Sequence, residues 1–349
     1  MTDLKIQRTF ISLEKRSGMP TNGELIDRYG RVHTDLRISV TDRCNFRCIY
    51  CLPDGNLPTV PKKMLLSFEE ILRIAGILKR LGIKTVRLTG GEPLLRRNLP
   101  QLVSGLNSLD FEDISLTTNA YYLKDAAKEL KAAGLKRVNI SLDSLCEEKF
   151  ANIRRRGDLI KVLRGLEAAK SVGLDPIKVN VVVMAGVNED ELAEFIPFAE
   201  EMGVTVRFIE YMPLDSNGAW SLDKFVPFNT ILNKISERWN VIPCDNGDSN
   251  APASYFKVVG KNVVFGIIGS ITEQFCGSCN RLRLTSDGTL RNCLFASEET
   301  SLLNSLREDS SDKEVEMLIR KAVWGKKIAH GTDQIGLAKP SRSMSMVGG

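Results

Sequence analysis

Six short runs rich in β-branched and apolar residues, Leu36 to Val40, Thr85 to Thr89, Asp113 to Thr117, Arg137 to Leu142, Ile177 to Met184 and Thr205 to Tyr211, are separated by stretches with apolar residues at helical spacing. That alternation constrains the fold more than any other feature of the chain. Strands separated by helix-length connections pair in parallel, because a tight turn cannot return the chain in the same direction. FEEILRIAGILKRLG, Phe68 to Gly82, shows the intervening pattern, with Ser67 as its expected N-cap and Gly82 as its stop. Asp125 to Gly134 and Glu189 to Gly203 read the same way. The expected class is α/β, a barrel or partial barrel, with an open doubly wound sheet as the alternative.

Several strands carry polar residues two apart, and side chains two apart share a face. Arg37 with Ser39, Arg87 with Thr89, Ser115 with Thr117, Asn139 with Ser141, and Lys178 with Asn180 form such pairs beside mostly apolar neighbours. A closed eight-stranded barrel fills its interior with branched apolar side chains, so polar inward positions imply a lumen that holds a ligand. The plainer alternative is a solvent-exposed face, which parallel sheets seldom leave uncovered.

At 349 residues, 43% hydrophobic and 26% charged, the chain suits one large α/β domain or two smaller ones. Its longest apolar runs, such as Val179 to Val187, fall short of the ~20 residues that span a bilayer, and no signal-peptide pattern opens it. No membrane association is expected, and the expected location is cytoplasmic. The first thirty residues mix acidic and basic side chains without strong periodicity, which reads as a solvated arm, with a mitochondrial presequence as the minor alternative. The net charge of +5 is modest and dispersed, which argues weakly for an anionic ligand and against a nucleic-acid polymer.

Three of the eight cysteines fall in CNFRCIYC, as Cys44, Cys48 and Cys51, directly after the first strand. A disulfide framework is not expected outside the secretory route. A structural zinc site takes four ligands, and no fourth Cys or His follows nearby. Cys276, Cys279 and Cys293 make a second incomplete set, and completion of either by one of the two histidines, His33 and His330, is possible but not signalled. Incomplete thiolate sets suit iron-sulfur clusters whose remaining iron binds something else, with a zinc knuckle as the alternative for the second set. Cys146 and Cys244 stand alone and read as small buried hydrophobes.

A strand, then CNFRCIYC, then LTGGEPLLR resembles the radical S-adenosylmethionine superfamily, whose first βα loop holds a four-iron cluster on C-x3-C-x2-C. DLRISVTDRCNFRCIYC, LTTNA, VNISLDSL, KVNVVV, RFIEYM and FCGSCNRLRLTSDGTLRNCLF resemble, more narrowly, the GTP 3′,8-cyclase family of molybdenum cofactor biosynthesis. The match runs from about Asp35 to the terminal Gly348 and Gly349. It implies an incomplete (β/α)6 TIM-like barrel with a C-terminal extension carrying a second iron-sulfur cluster. The implied divisions are an arm over 1–34, the partial barrel over 35–245, a second-cluster and substrate-binding region over 246–338 and a Gly-Gly tail over 339–349.

The resemblance also implies site roles. Cys44, Cys48 and Cys51 would hold a 4Fe-4S cluster whose open iron chelates S-adenosylmethionine and cleaves it to a 5′-deoxyadenosyl radical. Tyr50, Gly91, Ser141 and Met212 fall on S-adenosylmethionine contacts, and Gly90 beside Gly91 lets backbone approach the ligand. Cys276, Cys279 and Cys293 would hold a second 4Fe-4S cluster that binds guanine. Arg37, Arg87, Thr117, Lys178, Arg281, Leu282 and Arg283 fall on GTP contacts, with Arg281 and Arg283 facing one way to hold the triphosphate. Arg207 is set below these because its parity along the strand differs from that of Met212. Gly348 and Gly349 would reach into the active site beside Arg281 and Arg283. The implied partners are GTP, S-adenosylmethionine, a reductant protein and a downstream cyclic pyranopterin monophosphate synthase, while a homodimer stays open. Two other readings remain: a radical S-adenosylmethionine peptide-modifying enzyme with an auxiliary cluster, and a non-catalytic iron-sulfur protein.

Overall fold

The computed structural model describes residues 13–57, 59–214, 220–245, 247, 250–308, 310–329 and 342–348. Residues 1–12 of the arm, His330 and Gly349 lie outside the described residues. Strands β1 (Asp35–Ser39), β2 (Thr85–Thr89), β3 (Asp113–Thr118), β4 (Arg137–Ser141), β5 (Ile177–Val183) and β6 (Thr205–Glu210) are the six that the alternation predicts. Six more follow: β7 (Val241–Cys244), β8 (Ser254–Val258), β9 (Val264–Ile268), β10 (Arg281–Leu284), β11 (Thr289–Arg291) and β12 (Thr300–Ser301). The helices are α1 (Phe68–Arg80), α2 (Leu99–Ser108), α3 (Leu123–Ala132), α4 (Glu147–Arg154), α5 (Leu159–Ser171), α6 (Phe195–Met202), α7 (Phe228–Ser236), α8 (Leu303–Arg307), α9 (Asp312–Trp324) and α10 (Met344–Val347).

All twelve strands share one sheet, ordered β12-β11-β10-β1-β2-β3-β4-β5-β6-β9-β8-β7. β1 to β6 run parallel, and β10 and β9 extend the parallel run at either end by pairing with β1 and β6. The C-terminal stretch is therefore built onto both edges of the same sheet, and residue 245 falls between the paired strands of the β7-β8 hairpin. Side chains from β1 to β6, β9 and β10 line one cavity, so the sheet curls around it. The opposite face packs Leu36, Ile38, Val86, Leu88, Leu116, Val138, Val179 and Leu282 into the apolar core under the helices.

Local chemistry fixes the helix ends. Ser67 accepts from the Glu70 amide while the Glu70 carboxylate accepts from the Ser67 amide, a reciprocal cap that starts α1. Gly82, at φ +97°, turns the chain out of it. The helix expected over Glu189 to Gly203 is shorter, beginning at Phe195. Pro197 is the reason, since it has no amide to give and is tolerated only in a first turn.

Residues 14–18 and 21–24 are exposed, as the solvated-arm reading expects, but the reading fails from Leu25 onward. Asp27, Arg31 and His33 are buried. The Asp27 carboxylate bonds Arg31 Nε at 2.6 Å and His33 Nε2 at 3.1 Å. Arg31 then donates to the carbonyls of Cys276 at 2.8 Å, Ile328 at 2.9 Å and Lys327 at 2.7 Å. Scattered charge in the sequence hid a clamp whose partners lie more than two hundred residues away. Burial pushes the Asp27 carboxyl up, but the His33 bond and the Arg31 charge outweigh it and leave the group at about 2.

Burial and the nearby Lys326 charge hold the His33 imidazole down at about 4, with Asp27 opposing them. An unfolded chain takes up this proton near pH 6.5, and the folded protein resists it until about pH 4. The contribution of His33 to stability is therefore intact above pH 6.5 and is lost as the pH falls through the folded value, by roughly 3 kcal/mol. Urea unfolding of wild type and His33→Gln between pH 7 and pH 4 reads this directly. The stability difference between them should move by about that amount in favour of the variant on acidification, and a difference that stays constant with pH would refute the assignment.

Candidate active site

The register of the sheet brings like charges side by side. Arg283, Arg37 and Arg87 occupy matched positions on β10, β1 and β2, and Ser115 continues the row on β3. Arg137 is the partner of Ser115 on β4, and four residues beyond it Ser141 aligns with Asn180 and Arg207 across β5 and β6. Adjacent like charges destabilise a sheet unless something offsets them.

Arg37, Arg87, Ser141, Asn180, Arg207, Arg281 and Arg283 wall a cavity of about 240 Å³ lined also by Cys276, Cys279 and Cys293. Arg207, Arg281 and Arg283 are buried, and Arg37 and Arg87 are half-buried. Burial, then repulsion by Arg283 and Arg87, holds the Arg37 guanidinium well below its ordinary range. Arg283 is brought down to about 10, by burial first and then against Arg281, while the Cys293 and Cys279 thiols oppose the shift. That depression corresponds to an unfavourable environment on the order of 3 kcal/mol for the charged form. Among the described residues, Arg37 Nε, Arg283 Nε and Arg281 Nε and Nη2 have no hydrogen-bond partner. An anion in the cavity supplies both the missing charge and the missing acceptors.

A second cavity of about 130 Å³ adjoins the first, ringed by Cys44, Cys48, Cys51, Gly90, Gly91 and Glu92. Tyr50, Thr117, Ser141 and Met344 border both. The glycines do more than approach a ligand. Gly91 donates to the Thr41 carbonyl at 2.8 Å and Glu92 to the Arg43 carbonyl at 2.7 Å, and a Cβ on Gly91 would meet that carbonyl at 2.3 Å. They dock the end of β2 on the segment that leads into Cys44. Glu92 is buried and accepts from Thr118 Oγ1 at 2.7 Å and the Asn119 amide at 2.7 Å; burial leads and raises its carboxyl to about 7.

The donor chemistry fits an iron-sulfur cluster at the first set. Among the described residues no three His, Cys, Asp or Glu side chains converge on one point as a single metal ion requires. Three thiols spread around a cavity instead offer one ligand to each of three irons. Burial, reinforced by Cys48 and Glu92, pushes Cys44 up to about 12, and burial raises Cys51 further, so ligation displaces protons here. At the second set burial opposes ionisation, but the charges of Lys326 and Arg281 outweigh it and bring Cys279 to about 6. Lys326 donates to Cys279 Sγ at 3.4 Å and to the Arg281 carbonyl at 3.1 Å.

Of the residues singled out in the sequence, Arg37, Arg87, Arg281, Arg283 and Met212 line the larger cavity, Gly91 the smaller, and Tyr50, Thr117 and Ser141 both. Two depart from that pattern. Lys178 shares the face of Asn180 on β5, yet Asn180 is the residue that reaches the wall. The Leu282 side chain points into the core, leaving only its backbone toward the site. Cys146 is exposed and Cys244 half-buried, so neither is the buried hydrophobe expected. Gly348, at φ +78°, sits where a Cβ would lie 2.3 Å from Thr89 Oγ1.

Sequence reasoning undervalued Arg207, whose Nη2 bonds Asn139 Oδ1 and Asn180 Oδ1 at 2.8 Å in the cavity wall. Its parity was compared with Met212, but β6 ends at Glu210 and alternation does not extend past it. Glu210 was missed. This buried carboxylate accepts from the Phe228 amide at 2.8 Å, the Ile271 amide at 2.7 Å and the Thr272 amide at 3.1 Å, fixing the loop that leads to Cys276. An acidic residue closing an apolar strand, as in RFIEYM, was the available signal.

Comparison with known proteins agrees with this geometry. Residues 38–199 match the Radical SAM superfamily, and residues 204–332 match Molybdenum Cofactor Synthesis C. The chain is 44% identical over 343 residues to a GTP 3′,8-cyclase of Rhodopirellula baltica, covering 96% of each chain. It is 43% identical to one of Listeria monocytogenes, covering 93% of this chain and 99% of the relative. In fold it is similar to Streptococcus suis SuiB bound to S-adenosylmethionine, with a TM-score of 0.59 at 14% identity, covering 87% of this chain and 66% of that one. Two abutting cavities, two cysteine sets and near full-length identity to these relatives lead to one conclusion: the chain belongs to the GTP 3′,8-cyclase family of radical S-adenosylmethionine enzymes.

Proposed function

We propose that the chain binds GTP in the arginine-walled cavity and converts it to (8S)-3′,8-cyclo-7,8-dihydroguanosine 5′-triphosphate, the first step of molybdenum cofactor biosynthesis. One observation carries the reading: five guanidinium groups, those of Arg37, Arg87, Arg207, Arg281 and Arg283, face one cavity, with unpaired donors on three of them. A triphosphate, with about four negative charges and many acceptor oxygens, matches that deficit.

Family membership brings a 4Fe-4S cluster and S-adenosylmethionine. In this reading Cys44, Cys48 and Cys51 hold the cluster, and Tyr50, Gly91, Ser141 and Met212 contact S-adenosylmethionine. When bound, the pair would supply a 5′-deoxyadenosyl radical, the hydrogen-abstracting chemistry that joining ribose C3′ to guanine C8 requires. Cys276, Cys279 and Cys293 would hold a second 4Fe-4S cluster, which would offer an open iron to the guanine. Leu282 contributes its main chain, and Lys178 acts from the outer end of its strand. The protein's own share is positioning and exclusion of water around a reactive intermediate. The shared border of Tyr50, Thr117, Ser141 and Met344 sets the ribose against the smaller cavity, and Gly348 packs on Thr89 at its edge. The balance needs two electrons per turnover from a reductant protein, and a cyclic pyranopterin monophosphate synthase consumes the product. No helix among the described residues is long and apolar enough to cross a membrane, in keeping with a cytoplasmic enzyme.

Anaerobic incubation of reconstituted protein with GTP and S-adenosylmethionine should yield 5′-deoxyadenosine together with the cyclised nucleotide. Formation of 5′-deoxyadenosine without consumption of GTP would reassign the substrate. Arg283→Ala should lower kcat/KM for GTP by ~100-fold, the worth of a charge-assisted hydrogen bond, with iron content unchanged. Gly348→Ala forces a side chain into Thr89 Oγ1 at a left-handed backbone position. It should cost at least ~10-fold in turnover while both clusters' absorbance is retained, and wild-type turnover would remove the tail from the mechanism.

A further inference from the structure

The guanidinium of Arg154, at the end of α4, has no part in the reading above, yet it bonds a thiol of the first cysteine set directly. Its Nη1 donates to Cys48 Sγ at 3.0 Å and to Tyr50 Oη at 2.9 Å. Its Nη2 lies 2.8 Å from Asp143 Oδ2, both side chains being almost wholly buried. The rings of Phe46, Tyr50 and Phe150 surround it at 5.7, 5.8 and 5.9 Å. Neither partner is free to wander. Asp143 Oδ1 accepts from the Val182 amide at 3.0 Å, and the backbone carbonyl of Arg154 accepts from the Arg47 amide at 3.1 Å inside the cysteine loop.

We propose that Arg154 and Asp143 form a charge pair that poises the reduction potential of the cluster held by Cys44, Cys48 and Cys51. Hydrogen bonds to cluster sulfurs and nearby charge are the protein's principal means of setting such potentials. Reduction adds negative charge to the cluster, so a fixed cation donating to Cys48 favours the reduced state. Asp143 holds that cation in place and partly cancels it. Arg154 is a positioning and electrostatic residue acting through Cys48, and the pair leaves the potential low enough for reductive cleavage without placing it out of reach of a protein donor. The inference rests on the family's first cluster and is independent of GTP as substrate, so its failure and that of the proposed reaction are read from different measurements.

The two members of the pair predict shifts of opposite sign. EPR-monitored redox titration of the anaerobic holoenzyme, following the part of the signal that changes on adding S-adenosylmethionine, isolates the first cluster. Arg154→Met should lower its midpoint by at least the 59 mV that corresponds to a tenfold change in the one-electron equilibrium. Asp143→Asn should raise the midpoint, and Arg154→Lys, which keeps the charge, should fall between wild type and Arg154→Met. If Arg154→Met fails to retain iron, Asp143→Asn and Arg154→Lys still decide the matter. Unchanged midpoints, or shifts of Asp143→Asn and the Arg154 variants in the same direction, would overturn the proposal.

Discussion

The sheet register that sets Arg283, Arg37 and Arg87 abreast is the constraint from which the remaining architecture follows. Three cations on adjacent strands oppose the pairing that holds those strands together, at a cost that water cannot relieve once the cavity is enclosed. The apolar face of the same strands supplies the compensation. Leu36, Val86 and Leu282 lie next to these arginines in sequence and are fully buried, and burial of each such side chain contributes about 2 kcal/mol. Binding function and fold stability are thus assigned to alternate residues of the same strands.

Closing the cavity requires the far end of the chain. β10 places Arg281 and Arg283 beside β1, and the loop before it carries Cys276 and Cys279. That loop has little regular structure of its own, and it is fixed by remote groups: Arg31 on the Cys276 carbonyl, Lys326 on Cys279, and Glu210 on Ile271 and Thr272. A cysteine set that opens into a cavity cannot sit on a rigid strand pointing into the core. It sits on a loop, and the scaffold reaches out to hold it.

The six central strands were legible because alternation of apolar runs with helical periodicity is a local signal, and the polar faces could be read from parity alone. Legibility ended where the partner was remote. Asp27, Arg31 and His33 looked solvated because Arg31, which Asp27 holds beside His33, makes its other bonds to residues beyond 270. Arg154 sits in the basic run RRR, which reads as surface charge until Cys48 and Asp143 are placed beside it. Arg207 was misjudged because alternation was carried past the end of β6. The cysteine sets were recognised by spacing and resemblance, but the clamp and cations that position them leave no periodic trace.

The tail shows how a short segment can be specified without a core of its own. Arg342 is paired to Asp287 at 2.7 Å and to Glu299 at 2.9 Å, both on the C-terminal strands' connections, and this anchors the approach. Beyond it, Met344 fills space at the border of the two cavities, and the Ser345 backbone bonds Cys51. Gly348 then passes between Ser39 and Thr89, at the ends of β1 and β2, where only a residue without Cβ fits. An ion pair outside, one apolar side chain at the threshold and glycine inside place the segment by charge, volume and the absence of volume in turn. Any side chain at the last step would displace strand ends whose register also sets the arginine row, so the tail and the cationic wall depend on the same pair of strands.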